Sequence, residues 1–157
     1  MNRRIPQSGD QWFRRALQYL ARFDRTTDQV RRFLAAKGAP PSSIAQVISR
    51  LSALKYLDDR AYAARWIEAT LARRPMGYDR LKNELMAKGV AERLAHEAIV
   101  EGLEGLDEET LARRALQLKG GGRRPHRRMV SLLRQRGFAE ELIERIISDC
   151  PVEERAP

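Results

Sequence analysis

The sequence has one cysteine, Cys150, in 157 residues. A single thiol can neither close an internal disulfide nor supply a cysteine-rich zinc site, and it fits a reducing cytosol. Histidine is almost as scarce, with only His96 and His126. Aromatic residues make up 6%. No apolar run approaches the roughly 20 residues that a membrane-spanning helix needs. The segment 1–10 lacks the apolar stretch of a signal peptide. Alternating runs of Val, Ile, Thr and Tyr are missing, which argues against strands. No G-x-x-x-x-G-K-[ST] phosphate loop is present. These gaps leave a soluble cytoplasmic helical protein, with no membrane partner and no cofactor expected.

What the chain does have is charge and helix formers. Apolar residues reach 43%, enough for a core, and Ala, Leu, Arg and Glu dominate. There are 30 basic residues against 21 acidic ones, a net charge of +9. Of the basic residues 25 are Arg and 5 are Lys. Guanidinium forks bind phosphate or carboxylate bidentately, which points to an anionic partner. Arginine-favouring codons account for the preference over lysine more readily than for the net charge.

The informative pattern is a repeat. Aligning Gly38, Gly89 and Gly137 superimposes VRRFLAAKGAPPSSIAQVI, LKNELMAKGVAERLAHEAI and MVSLLRQRGFAEELIERII without gaps. Val30, Leu81 and Met129 stand eight residues before each glycine, and Leu34, Leu85 and Leu133 four before. Those positions share one helix stripe. Ile44, Ala95 and Ile143 follow at +6, then Val47, Ala98 and Ile146 at +9, then Ile48, Ile99 and Ile147 at +10. These form one stripe of a second helix. Lys37, Lys88 and Arg136 precede the glycines, where a cation suits the helix C-terminus. Each glycine then supplies the φ > 0 residue that closes the helix.

A further helix precedes each pair: Trp12–Phe23, about Arg60–Arg73, and about Glu108–Leu118. Asp58 and Asp107 open the last two, and the Asp58-Asp59 pair reads as capping rather than as a carboxylate site. The string Arg-Arg-Ala-Leu-Gln recurs at 14–18 and 113–117, a second register match. Thr26 with Gln29 forms a capping box for the second helix of the first unit. The expected fold is all-α, an elongated array of three tandem three-helix repeats. The divisions are a flexible tail 1–10, repeats at 11–58, 59–106 and 107–149, and a C-terminal tail 150–157. Net charges are +6, 0 and +3 from the first repeat to the third.

No catalytic constellation emerges. His96 falls on the outer face of its helix and His126 in an Arg-rich loop, so both read as surface residues. Gly120-Gly121-Gly122 reads as a linker rather than an anion cradle. Trp12, Phe13, Tyr19, Tyr62 and Trp66 sit on first helices, where packing outweighs base stacking. The expected contact surface is Arg31, Arg32, Arg123, Arg124, Arg127 and Arg128, basic residues clustered outside the apolar stripes.

The chain resembles the RecX family, bacterial regulators of the RecA recombinase. The likeness rests on Tyr56-Leu57-Asp58-Asp59-Arg60, Tyr62-Ala63, Gly77, Leu85, Lys88-Gly89 and Arg136-Gly137-Phe138, and covers about residues 11–149. Pro40-Pro41-Ser42-Ser43 departs from the family's usual charged or polar helix start. The resemblance implies tandem three-helix repeats that bind the RecA–DNA filament in its groove and restrain it. Growth, strand exchange and stimulated repressor cleavage would fall. A monomer that also touches single- or double-stranded DNA nonspecifically fits this reading. Direct DNA binding through the basic end repeats is the alternative. Against sequence-selective recognition, the helix from Ala91 to Leu103 carries Glu92, Glu97 and Glu101.

Overall fold

A computed structural model describes residues 8–118 and 125–150 of the chain. Among the described residues there are nine α-helices and no strand. They are α1 Ser8–Leu20, α2 Thr27–Ala36, α3 Pro41–Ala53, α4 Asp59–Arg73, α5 Tyr78–Ala87, α6 Glu92–Leu103, α7 Glu108–Gln117, α8 His126–Gln135 and α9 Glu140–Ser148. The first helix is shifted from its expected place. It begins at Ser8 and ends at Leu20, which leaves Phe23 outside it and 65% exposed. Asp10 in its first turn pairs with Arg50 at 3.2 Å.

The glycine turns close as the spacing requires. Gly38, Gly89 and Gly137 have φ of +85°, +88° and +75°. The next residue's N–H reaches back to the helix in each turn: Ala39 to Leu34 O, Val90 to Leu85 O, Phe138 to Leu133 O, at 3.0–3.2 Å. The glycine N–H bonds one residue further on, to Ala35, Met86 and Arg134 O. This paired closure satisfies carbonyls that the helix end orphans. Ala39, Val90 and Phe138 are all buried as a result. Pro40-Pro41 does not disturb the next helix, because Pro41 sits at the first helical position where no N–H is needed.

Two compact units contain these helices. The first comprises the described residues up to Ala63 together with Leu85–Ala95. The second comprises Ala64–Glu84 and the described residues from His96 onward. The division cuts α4, α5 and α6, so the middle set has no body of its own. In the first unit α1, α2 and α3 pack pairwise around Trp12, Ala16, Val30, Leu34, Ile44, Val47 and Leu51. In the second, α7, α8 and α9 pack pairwise, with Leu111, Ala115, Leu133, Ile143 and Ile146 fully or almost fully buried.

Each unit holds the same junction. In the first, the end of α5 meets the start of α2: the Thr26 hydroxyl donates to Lys88 O at 2.6 Å. In the second, the end of α8 meets the start of α5: Gly77 N–H donates to Arg136 O at 2.9 Å. The negative end of one helix dipole therefore meets the positive end of another. An acidic side chain completes both. Asp59 accepts from Thr27 N–H at 2.8 Å, and Glu108 accepts from Tyr78 N–H at 2.7 Å. Asp58 and Asp107 cap their own helices through Ala61 and Thr110 N–H at 3.0 and 2.7 Å. The carboxylate pair thus divides its work: Asp58 caps α4, while Asp59 caps α2.

Candidate binding surface

The predicted contact arginines are distributed over both units. Arg31 and Arg32 lie on α2 with side chains 54% and 73% exposed. Both lean on Asp28: Arg32 Nε is 2.7 Å from its Oδ2, and Arg31 Nη1 is 3.9 Å from its Oδ1. At such exposure the pairs leave the guanidiniums available, since surface ion pairs are weak. Arg127 and Arg128 are exposed in the first turn of α8, in the second unit. Pro125 occupies the cap and offers no side-chain acceptor. The positive end of a helix repels cations, so folding of α8 does not explain these two charges. Arg123 and Arg124, like Gly120-Gly121-Gly122, lie outside the described residues.

The first unit carries an aromatic–cation cluster that sequence reading passed over. Tyr19 and Phe33 stack at 4.1 Å, nearly parallel. The Arg25 guanidinium lies 4.6 Å from the Tyr19 ring and 5.2 Å from Phe23, and Lys37 Nζ lies 5.8 Å from Phe33. Cations over ring faces gain about 0.5–1 kcal/mol at exposed sites. Trp12 and Tyr62 pack inward instead, each 8% exposed. Burial pushes the Tyr62 phenol above its usual value, and the neighbouring Asp24 adds to the rise. The aromatic spacing along the chain offered no warning of the cluster, because Tyr19 and Phe33 come from different helices.

Chemistry-bearing residues remain scattered. Among the described residues no group of three or more His, Cys, Asp and Glu side chains could hold a metal ion. His96 is exposed on α6 and its Nδ1 meets the Tyr78 hydroxyl. Cys150 is half-buried and free. No described helix is long and apolar enough to cross a membrane.

Fold and surface together define a class: all-α proteins of linked three-helix sets, whose exposed chemistry is cationic. Comparison with known proteins narrows it. Family models described as the RecX first and second three-helix domains match residues 13–51 and 58–99. A Regulatory protein RecX from Pelodictyon phaeoclathratiforme is 31% identical over 135 residues, covering 82% of each chain. The chain belongs to the RecX family. The same-named protein of Geobacillus kaustophilus is 31% identical over 144 residues, or 87% of this chain and 53% of that one. That of Bacillus licheniformis is 38% identical over 87 residues, or 55% and 33%. The chain thus spans about half the length, or less, of these two curated relatives. Among solved structures, RecX from Lactobacillus salivarius has a TM-score of 0.66 at 22% identity, covering 90% of this chain and 95% of that one. A regulatory protein RecX has a TM-score of 0.68 at 24% identity, covering 90% and 73%. At such identity these two speak for the fold.

Proposed function

We propose that this chain is a non-enzymatic regulator that binds the RecA–DNA filament and restrains it, lowering RecA activity in recombination, DNA repair and the SOS response. Membership of a family of regulatory proteins carries this reading. The exposed arginines support it: Arg31, Arg32, Arg127 and Arg128 face solvent in the two units, and the helix dipole does not account for Arg127 and Arg128. Arg123 and Arg124 complete the proposed contact set. Acidic protein and nucleic-acid phosphate are the surfaces that suit them. The protein acts in the cytoplasm as a monomer, through repeats at 11–58, 59–106 and 107–149. Purified protein at several-fold excess over RecA should depress DNA-dependent ATP hydrolysis and strand exchange. Unchanged rates would remove the reading. Charge reversal at 123, 124, 127 and 128 should relieve the inhibition, and full inhibition by that variant would exclude them from the contact.

A second reading is nonspecific DNA binding without RecA, favoured by the +6 charge of residues 11–58. Affinity should then fall steeply with salt. Tight, sequence-selective binding at physiological salt, seen by fluorescence titration, would favour a direct DNA role over the filament reading.

A further inference from the structure

The junction in the second unit gathers more positive charge than its carboxylates balance. Arg74, Arg80 and Arg136 line one cleft with Leu132 and Gln135, a space of about 330 Å³. Glu84 is the one acid that bridges these arginines among the described residues: its Oε2 is 3.2 Å from Arg74 Nη2 and its Oε1 is 3.1 Å from Arg80 Nε. Arg80 also donates through Nη1 to Gln135 O. Arg136 is 8% exposed, and its Nη1 donates to Pro75 O at 3.0 Å. The cluster carries three cations against one anion. Burial holds the Arg136 guanidinium below its usual pKa, and repulsion from Arg74 and Arg80 lowers it further; no carboxylate offsets them.

A buried cation with no opposing charge costs stability unless something supplies that charge. The first unit solves the same junction differently. There Lys88 stands where Arg136 does, and Asp28 lies against Gly89 where Arg80 lies against Gly137, while Asp59 and Glu108 cap the facing helices alike. Arginine at 136 with two more arginines beside it is therefore not demanded by the repeat. Three forks that retain unused donors match tetrahedral oxygens better than a single planar carboxylate. The lining has no aromatic ring, so the cleft can read charge but cannot stack a base.

We propose that this cleft binds a phosphoryl oxyanion, with Arg136 as its buried ligand and Arg74 and Arg80 as exposed ones held by Glu84. The phosphodiester of a nucleic-acid backbone and the phosphate of a free nucleotide offer the same chemistry. The site does not rest on the RecA reading. The test contains no RecA, so failure of one leaves the other standing.

Inorganic phosphate at millimolar concentration should raise the melting temperature of the full chain above that in chloride at equal ionic strength. Arg74→Gln with Arg80→Gln should weaken phosphate binding by about tenfold per residue removed. Both side chains are roughly half exposed, at 51% and 43%, so the fold should tolerate the change. Glu84→Gln should act in the opposite sense and tighten binding, because it removes the competing anion. Arg14→Gln with Arg22→Gln, an equal loss of exposed charge outside the proposed contact set, should leave binding unchanged. An oligothymidylate with hydroxyl ends that displaces the phosphate identifies the backbone as ligand. Displacement by a nucleoside triphosphate alone identifies a nucleotide. No phosphate-specific effect in the unaltered protein, variants that bind as it does, or displacement by neither competitor would overturn the proposal.

Discussion

Gly38 and Gly89 occupy the same place in the same motif, yet they have different surroundings. A Cβ added at Gly38 would meet nothing within 4 Å, while one at Gly89 would lie 2.3 Å from Asp28 Cβ. Gly137 resembles Gly89, with Arg80 Cβ at 2.7 Å. All three glycines satisfy a backbone requirement, φ between +75° and +88°. Only the later two also admit a neighbouring helix start into contact. The turn is thus a local device that the repeat reuses as a docking surface, and the first copy is the one left uncovered among the described residues.

Substitution at these glycines should separate the two roles with the largest effect. Gly38→Ala should cost about 1–2 kcal/mol, the ordinary penalty for a side chain in the left-handed region. Gly89→Ala and Gly137→Ala should cost roughly 2–5 kcal/mol, because overpacking adds to that penalty. Urea denaturation measures the gap, and equal losses at all three positions would remove the docking role. A smaller effect belongs to the middle set. Gly102 has no room for a Cβ, which would fall 2.4 Å from Ile67 Cγ2. The aligned residues in the first set are Leu51 and Ala16, both fully buried. Large and small residues have changed places across the pair, keeping volume about constant. Gly102→Ala should therefore cost about 1–3 kcal/mol, and combining it with Ile67→Val should recover part of that loss in a double-mutant cycle.

The caps provide the next comparison. Thr26 is fully buried, forms a two-way capping box with Gln29, and donates to Lys88 O. Asp107 is exposed and caps only its own helix. Thr26→Ala should lose about 2 kcal/mol and Asp107→Ala clearly less, read from thermal unfolding. The smallest effect is that of pH. Hydrogen bonds from Thr110 hold the Asp107 carboxyl below its ordinary 3.8, and Arg134 holds Glu140 below its ordinary 4.5. A carboxyl whose folded pKa is depressed stabilises the fold above its ordinary value and loses that contribution as pH falls through the lower folded one. Stability should therefore decline below about pH 4.5, and Asp107→Asn with Glu140→Gln should flatten the decline in urea midpoints measured from pH 7 to 2.

Sequence alone determined much of this molecule, and the reason is local. Hydrophobic stripes, the basic-Gly closures, the Thr26 capping box and the Asp58 and Asp107 caps depend on residues within a turn or two of each other. Helix periodicity and backbone sterics write them directly into residue order. The RecX likeness was legible for the same reason, since its motifs are those caps and turns. Tertiary structure decided what no spacing encodes. It brought Asp59 to α2 and Glu108 to α5, 32 and 30 residues away in the chain, to cap a helix other than its own. It gathered Tyr19, Phe33 and Arg25 into one cluster, and it set Arg136, which a local reading treats as a helix-end cation, beside two further arginines. Charge and contact between residues so far apart in the chain depend on how helices dock, and docking follows the shape of whole faces rather than the order of residues along them.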